Sequence, residues 1–314
     1  MSDETPALVV EGLRYSYGRR EALRGVSFRV ERGELFGLLG PNGGGKSTLF
    51  RILATLQRPS GGRALLLGYD AEREPAAVRA RIGVVFQHAS VDAYLTVEEN
   101  LTHHGALWGM PRQTIAERIE VLLARFGLTA RRHELVGQLS GGLARRIEIA
   151  KGILPRPALL LMDEPSTGLD PAARRELMGQ LDELRASEGT TIVLTTHHME
   201  EAERCDRLAL LDRGELVASD TPANLRGRVG GDVVTIRAAD LEGLQAHIHE
   251  TFGIEAARVD GTLRIEHGRG HELVHALVDR FPDAVQSATF GRPTLEDAFI
   301  RLTGHALYDE ERPA

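Results

Sequence analysis

The segment LLGPNGGGKSTLF, residues 38–50, places a cluster of glycines between a short apolar strand pattern and a helical one. Such clusters are tolerated where the backbone must bend sharply or approach a ligand closely. The segment fits G-x-x-x-x-G-K-[ST], in which backbone N–H groups and the positive end of a helix dipole converge on a polyphosphate. It predicts a phosphate-binding loop made of Gly40, Pro41, Asn42, Gly43, Gly44, Gly45, Lys46, Ser47 and Thr48.

Two side chains of this loop carry the predicted chemistry. Lys46 is expected to contact the β- and γ-phosphates of a nucleotide, and the Ser47 hydroxyl is expected to ligate Mg²⁺. The alternative is a glycine turn with no ligand, but a lysine followed by a hydroxyl at this spacing has no packing rationale. The loop alone leaves kinases, GTPases and many ATPases open.

A pair of acids narrows the choice. In LLLMDEPSTGLD, an apolar strand ends in Asp163 and Glu164. Asp163 at the strand tip can hold Mg²⁺ through water, and Glu164 is placed to orient or deprotonate an attacking water. The alternative is two exposed acids at a strand end with no function.

A second helix start also suits an anion. Ser140, Gly141 and Gly142 open a helix in the run LSGGLARRIEIAKGIL. Two phosphate-binding helix ends in one chain suggest that the second serves a nucleotide held by another copy. An ordinary serine N-cap is the alternative.

Composition restricts the class of protein. The chain has 314 residues, enough for two domains, and its net charge of −7 argues against a surface that wraps nucleic acid. The single cysteine, Cys205, excludes an internal disulfide and is expected to be buried. The apolar runs fall far short of the roughly 18–20 residues that span a bilayer, and the acidic N-terminus lacks the features of a secretory signal. We therefore expect a cytoplasmic protein.

The order of strand and helix patterns predicts the fold class. Short strands over residues 7–36 indicate an antiparallel β layer, and residues 88–154 read as a helical insertion. The strands ALLLMD and TTIVLTTH enclose a helix that begins at Pro171 and ends before Gly189, which implies parallel pairing. These patterns predict an α/β domain over residues 1–227.

A second, smaller domain is predicted over residues 231–314. The segment LRGRVGGD marks the boundary, and the patterns beyond it read as strand, helix, two strands joined at a DG turn, helix, strand and a last helix. This order resembles an α+β domain of the ferredoxin type. Its histidines, among them His271 and His275, do not have the spacing of a metal site. One sheet face of this domain is expected to remain open, and a second copy of the chain could cover it.

Six motifs in this order resemble those of the ATP-binding subunits of ABC (ATP-binding cassette) transporters, over roughly residues 7–220. They are GPNGGGKST (Walker A), VVFQ (Q-loop), LSGG (signature), LLLMDEP (Walker B), STGLD (D-loop) and LTTH (H-switch). The resemblance implies a P-loop NTPase core, ATP and Mg²⁺ as ligands, and two cassettes that enclose two ATP molecules head to tail.

The resemblance also implies roles for individual residues. Glu164 matches the general base, His197 the residue that contacts the γ-phosphate, and Asp170 the D-loop acid. Gln87 matches the residue that senses Mg²⁺ and water and couples the site to a membrane subunit. His198 competes with His197, although the TTH spacing favours His197.

An aromatic residue upstream of the loop completes this set. Tyr17 matches the residue that stacks on adenine, and Tyr15 is the competing candidate. A tyrosine of the core or of an edge strand is the alternative without a ligand.

One departure narrows the subfamily. Leu143 stands where the signature usually has glutamine. Similar cassettes of bacterial drug-resistance exporters often carry an apolar residue at this position, and the segment RPTLEDAFIRLTGHAL resembles the end of those subunits. The resemblance therefore implies a homodimer of ATPase subunits that powers export through a separate integral membrane permease, bound at the inner face of the membrane. Residues 88–110 are expected to contact that permease. A soluble ABC ATPase, or one that drives a membrane protein mechanically, is the alternative.

Overall fold

The computed structural model describes residues 5–88 and 90–307. The chain divides into two compact units, Met1–Ser219 and Asp220–Ala314, slightly before the boundary predicted between residues 227 and 231. The outer limits of the two predicted domains, and one position in the predicted helical insertion, Ala89, lie outside the described residues.

The first unit contains ten strands and seven α-helices among its described residues. Its strands are β1 (Leu8–Tyr17), β2 (Arg20–Val30), β3 (Leu35–Leu39), β4 (Gly61–Leu66), β5 (Tyr69–Asp70), β6 (Ile82–Val85), β7 (Leu159–Asp163), β8 (Thr191–Thr196), β9 (Arg207–Asp212) and β10 (Glu215–Asp220). Its helices are α1 (Lys46–Leu53), α2 (Pro75–Arg79), α3 (Val97–Leu107), α4 (Arg112–Arg125), α5 (Gly141–Ile153), α6 (Pro171–Glu188) and α7 (Met199–Ala202), with short 3₁₀ turns at Thr129–Arg131 and Val136–Gln138.

The central sheet of this unit has the strand order β10-β9-β3-β8-β7-β6. The β3–β9, β3–β8, β8–β7 and β7–β6 pairs are parallel. Every residue of β3, β7 and β8 is buried, as expected for strands covered on both faces. The parallel pairing predicted for the two strands around α6 is confirmed.

The second sheet is antiparallel, with the order β2-β1-β4-β5. The prediction of an antiparallel layer over residues 7–36 is wrong for its last strand, because β3 pairs with β8 and β9 in the parallel sheet. The layer is completed instead by β4 and β5, which follow α1 and which the strand patterns did not identify. Consecutive strands are often neighbours, but the packing of the whole unit decides the cases in which they are not.

The helical segment between β6 and β7 forms largely as predicted, because its local signals are strong. Thr96 and Glu99 make a reciprocal capping box at the start of α3, and Ser140 caps α5. Pro111 is the N-cap of α4. Beyond β7, α6 begins at Pro171 and its C-cap is Gly189, whose φ of 67° suits glycine.

The second unit contains a short helix α8 (Pro222–Gly227) followed by an α+β arrangement. Its further elements are β11 (Asp232–Ala238), α9 (Leu241–Phe252), β12 (Ala257–Val259), β13 (Thr262–His267), α10 (Gly270–Arg280), β14 (Val285–Gly291) and α11 (Leu295–Thr303). The sheet order is β12-β13-β11-β14 with antiparallel neighbours, the split βαβ order of ferredoxin-like domains. Leu244, Ile248 and Leu277 of α9 and α10 join the core on one face of this sheet.

The opposite face of this sheet is partly covered by the chain itself. Arg264 of β13 donates to Asp297 of α11 at 2.6 Å, and Ile300 of α11 packs in a small cluster with Val259. The expectation that this face stays open is therefore wrong where α11 lies.

Candidate functional site

The predicted phosphate loop joins the buried strand β3 to the start of α1. Gly45, the N-cap of α1, has a φ of 105° and makes no side-chain capping bond. A Cβ on Gly40 would lie 2.1 Å from the carbonyl oxygen of Leu211, and one on Gly45 would lie 2.8 Å from that of Ala22. These two glycines are therefore required by the close approach of the protein's own backbone, in addition to any ligand.

Lys46 is folded back into this loop. Its Nζ donates to the carbonyl oxygens of Gly40 at 2.6 Å and Pro41 at 2.9 Å, and its side chain is buried. Burial holds the pKa of Lys46 below its usual range, although the carboxylates of Glu164 and Asp163 act in the opposite direction. The loop therefore carries a cation that donates to neutral carbonyl oxygens, and bonds to ionised phosphate oxygens would be stronger because both partners are then charged.

The acidic pair lies at the end of β7, as predicted. Asp163 is buried, and its Oδ1 accepts a hydrogen bond of 2.5 Å from the hydroxyl of Thr195 on β8. Burial raises the pKa of Asp163, and the bond from Thr195 opposes that rise. Thr195 also accepts a hydrogen bond of 2.9 Å from the N–H of Glu164, so one threonine orients both acids.

Glu164 is held in a conformation that L-residues rarely adopt, with a φ of 45°. Its Oε1 lies 3.2 Å from Nδ1 of His197, and its Oε2 accepts bonds from Gln87 at 3.3 Å and from Thr167 at 3.1 Å. The bond to His197 is the largest cause that holds the pKa of Glu164 below its ordinary value, and burial acts the other way. At neutral pH this carboxyl is ionised and can accept a proton.

The structure distinguishes the two candidate histidines. His197 contacts Glu164, whereas His198 is the N-cap of α7, and its ring is tilted by 46° against the His197 ring, with centroids 4.1 Å apart. Burial, followed by the neighbouring His197, lowers the pKa of His198 to about 4. The geometry therefore places His197, and not His198, beside the acidic pair.

The two candidate tyrosines are also distinguished. Tyr17, at the end of β1, is 43% exposed, while Tyr15 packs against the core and contacts the Tyr17 ring edge-on at 4.8 Å. Burial would raise the pKa of the Tyr17 hydroxyl, but hydrogen bonds to Thr48, Gln57 and Arg51 together hold it below its ordinary value. Tyr17 is thus the tyrosine whose ring is open to a ligand.

The signature residues lie at the surface. Ser140 and Gly141 are exposed and Gly142 is half-buried, while the Ser140 hydroxyl accepts a capping bond of 3.4 Å from Leu143. Asp170 has a structural role of its own, because its carboxylate caps α6 by accepting 2.9 Å bonds from Ala172 and Ala173. These two bonds hold the pKa of Asp170 below its ordinary value.

Sequence reasoning missed two residues that organise the site. Thr195 belongs to the LTTH motif, and its position opposite Asp163 follows from the parallel register of β7 and β8. Arg145 on α5 is buried and donates to the carbonyl oxygens of Phe86, Asp163, Glu164 and Pro165. A charged residue among apolar helix positions was the only signal for Arg145.

Cys205 and the histidines of the second unit lie outside this site. Cys205 is buried, as expected, and burial raises its thiol pKa far above the ordinary value. His271 and His275 each lie near one carboxylate, and across the described ranges no group of three or more histidine, cysteine, aspartate or glutamate side chains could hold a metal ion. Within the same ranges, no helix is long and apolar enough to span a bilayer.

Comparison with known proteins assigns the family. A family model described as ABC transporter matches residues 23–167, and an AAA-domain model described as putative AbiEii toxin, Type IV TA system, matches residues 138–203. The daunorubicin resistance ATP-binding protein DrrA2 of Streptomyces coeruleorubidus is 38% identical and aligns over 97% of each chain. The Nod factor export ATP-binding protein I of Ralstonia nicotianae is 39% identical over 97% of this chain and 96% of its own.

Solved structures give the same result. The cbiO1 protein of Clostridium perfringens, described as part of the ABC transporter complex cbiONQ, is 28% identical with a TM-score of 0.66, over 80% of this chain and 97% of that one. A dimeric ATP-binding cassette in a post-hydrolysis state bound to ADP and Pi is 26% identical with a TM-score of 0.62, over 68% of this chain and 98% of that one.

Proposed function

This chain belongs to the ABC transporter ATP-binding family, and we propose that it hydrolyses ATP at the Glu164 site to power export through a separate membrane subunit. The observation that carries the proposal is the arrangement around one carboxylate. Gln87, His197 and Thr167 all contact Glu164, and the phosphate-loop cation Lys46 is electrostatically coupled to the same acid. An ATPase needs a positioned base, a phosphate-binding cation and a metal-binding acid in one place.

The donor set of the site suits Mg²⁺. Asp163 offers a buried carboxylate with one oxygen already oriented by Thr195, Gln87 offers an amide oxygen, and Ser47 offers an exposed hydroxyl. Mg²⁺ prefers such oxygen ligands, together with phosphate oxygens of the substrate. The bound ion would neutralise charge on the β- and γ-phosphates.

Each residue then has a specific task. Lys46 exchanges its two carbonyl partners for phosphate oxygens, and the open N–H groups at the start of α1 bind the same phosphates. Glu164, ionised at neutral pH, orients the attacking water and accepts its proton, and His197 binds the γ-phosphate while it holds Glu164. Tyr17 stacks on the adenine ring.

The signature residues Ser140, Gly141 and Gly142 supply the other wall of the site, from a second copy of the chain. Ser140 and Gly141 are exposed and Gly142 is half-buried at the start of α5, where their N–H groups can contact the nucleotide of a partner. Asp170, exposed at the start of α6, would serve as the D-loop acid at the same interface between the two copies. The dimeric form of one solved relative supports a homodimer that encloses two nucleotides.

Export is the transport direction that the relatives favour. Two of them are named for drug resistance and for Nod factor export, and both align with nearly the whole of this chain. The substrate-binding contacts would belong to an integral membrane permease, through which this subunit sits at the inner face of the membrane. Co-purification with such a partner and loss of export without it would separate this role from that of a soluble ABC ATPase.

Replacing Glu164 tests the hydrolytic site. In Glu164→Gln the amide can still orient water but cannot accept its proton, so we expect ATP binding to persist while turnover falls about 10²-fold or more. Lys46→Ala should fail earlier, at ATP binding, because the phosphates lose their cation. A Glu164→Gln variant that turns over ATP at the wild-type rate would remove Glu164 as the base.

A further inference from the structure

A buried carboxylate lies on the signature helix, outside the residues assigned so far. Glu148 of α5 is 2% exposed. Its Oε2 accepts a hydrogen bond of 2.9 Å from the N–H of Ser90, and its Oε1 accepts one of 2.7 Å from the Ser90 hydroxyl. Burying an ionised carboxylate is costly unless its oxygens are satisfied, so this pair of bonds ties Ser90 firmly to α5.

Lys151, one turn further along α5, holds the rest of Ser90. Its Nζ donates to the Ser90 carbonyl oxygen at 2.9 Å and to the Ser90 hydroxyl at 2.5 Å. Nζ also lies 3.6 Å from the Glu148 carboxylate. The N–H, the carbonyl and the hydroxyl of Ser90 are therefore all bound by two oppositely charged side chains of one helix.

The same helix also holds the chain on the other side of Gln87. Arg145, one turn before Glu148, donates to the carbonyl oxygen of Phe86, the residue before Gln87. Residues three apart on a helix lie on the same face, so Arg145, Glu148 and Lys151 present one charged face to the segment that carries Gln87.

Arg145 extends this connection to the acidic pair. Its guanidinium donates to the carbonyl oxygens of Asp163 and Glu164, both at 3.2 Å. Gln87 itself reaches Glu164 through a hydrogen bond of 3.3 Å, long enough to be sensitive to small displacements. The separation between the Gln87 amide and the Glu164 carboxylate is thus set by where α5 holds the backbone on both sides of Gln87.

We infer that Glu148 is a positioning residue, which with Lys151 fixes Ser90 and thereby places Gln87 against Glu164 and beside the residues that would hold Mg²⁺. A displacement of α5, whose first residues meet the partner's nucleotide, would then move Gln87 relative to the acidic pair. This inference rests on the proposed function, because it requires that Gln87 act at an ATP site.

The test compares Glu148→Ala with the wild-type chain, in ATPase assays that vary Mg²⁺ and ATP separately. We expect kcat to fall about tenfold and the Mg²⁺ concentration for half-maximal rate to rise several-fold, because a displacement of about 1 Å is enough to lose that much rate. The KM for ATP should change by less than about threefold, because the bonds that hold Lys46 go to Gly40 and Pro41, whereas the bonds lost in Glu148→Ala hold Ser90.

Glu188→Ala is the matched control. Glu188 of α6 is a largely buried carboxylate that accepts bonds of 2.8 and 3.0 Å from Arg118. Its replacement therefore removes two hydrogen bonds, as Glu148→Ala does at Ser90, but neither of them holds a residue next to Gln87 in the sequence. We expect Glu188→Ala to lower the unfolding temperature and to leave the Mg²⁺ dependence unchanged. Equal shifts in Mg²⁺ dependence for both variants would show that Glu148 is only structural.

A milder variant covers the case in which Glu148→Ala does not fold. Ser90→Ala loses the hydroxyl but keeps its N–H bond to Glu148, so it should show the same Mg²⁺ shift in smaller measure, about two- to threefold. Folded variants of Glu148 and Ser90 with wild-type kcat and Mg²⁺ dependence would overturn the inference. A wild-type chain without ATPase activity would instead overturn the proposed function.

Discussion

The hydroxyl of Thr195 bonds to both members of the acidic pair, so its removal should lower both the stability of the chain and its affinity for Mg²⁺. Thr195→Val keeps the shape of this fully buried side chain but removes the hydroxyl that donates to Asp163 at 2.5 Å. A hydrogen bond to a charged group contributes about 1.5–3 kcal/mol. The N–H of Glu164 loses its bond to the hydroxyl but keeps one of 3.2 Å to the Thr195 carbonyl, so its added cost is small. We expect the free energy of unfolding to fall by about 2 kcal/mol.

The same substitution should impair the metal site. The hydrogen bond from Thr195 opposes the rise that burial imposes on the pKa of Asp163, so its removal raises that pKa further. An Asp163 that is harder to ionise binds Mg²⁺ less well, and we expect a several-fold higher Mg²⁺ requirement with about tenfold lower kcat. Urea unfolding and Mg²⁺ titrations of the ATPase rate measure the two effects on one protein preparation.

Two companion variants make this prediction refutable. Thr195→Ser retains the hydroxyl and should keep the wild-type Mg²⁺ requirement. Thr191→Val lies on the same strand and removes a bond of 2.9 Å from the Gly33 N–H, so it should cost about 1 kcal/mol without changing the Mg²⁺ dependence. A Thr195→Val variant that needs no more Mg²⁺ than the wild type, or a Thr191→Val variant that needs as much as Thr195→Val, would contradict the role given to the Thr195 hydroxyl.

Three further predictions concern other parts of the chain. Tyr94 is 89% exposed in the segment expected to contact a membrane subunit, so Tyr94→Glu should lower transport in cells and leave the ATPase rate of the isolated subunit unchanged. Val121→Glu, which changes an exposed residue of α4, is the control. Equal transport by both variants would contradict the placement of Tyr94 at the contact with the membrane subunit. Burial, then Lys151, lowers the pKa of His104 from 6.5 to about 4, so the unfolded chain binds the extra proton first and stability falls as pH drops from about 6.5 to 4. His104→Gln should remove about 1–2 kcal/mol of that pH dependence, allowing for solvent screening, and thermal unfolding at pH 7.5 and 5 would detect an unchanged dependence. Phe290 is 51% exposed on β14, the edge strand of the second unit's sheet. If this unit strengthens the pairing of two copies, Phe290→Asp should make ATP hydrolysis depend more steeply on protein concentration. An unchanged concentration dependence would indicate another role for this strand.

Local signals in the sequence determined the elements and the chemical inventory of the site. The phosphate loop, the acids at the end of β7 and the helix starts at Ser140 and Pro171 each depend on a few adjacent residues, whose backbone preferences and capping bonds act within one turn. The resemblance of the motifs to ABC cassettes then identified Gln87 and His197, which no local physical signal would have joined to Glu164.

Only the tertiary structure decided which polar groups satisfy one another in the interior. Thr195 meets Asp163 because β7 and β8 pair in parallel with one register, and Arg145 meets Glu164 because α5 packs beside β6 and the end of β7. Glu148 can be buried because Ser90 lies opposite it. A buried charge must find partners wherever packing brings donors and acceptors together, and that distance in space is not encoded by spacing along the chain.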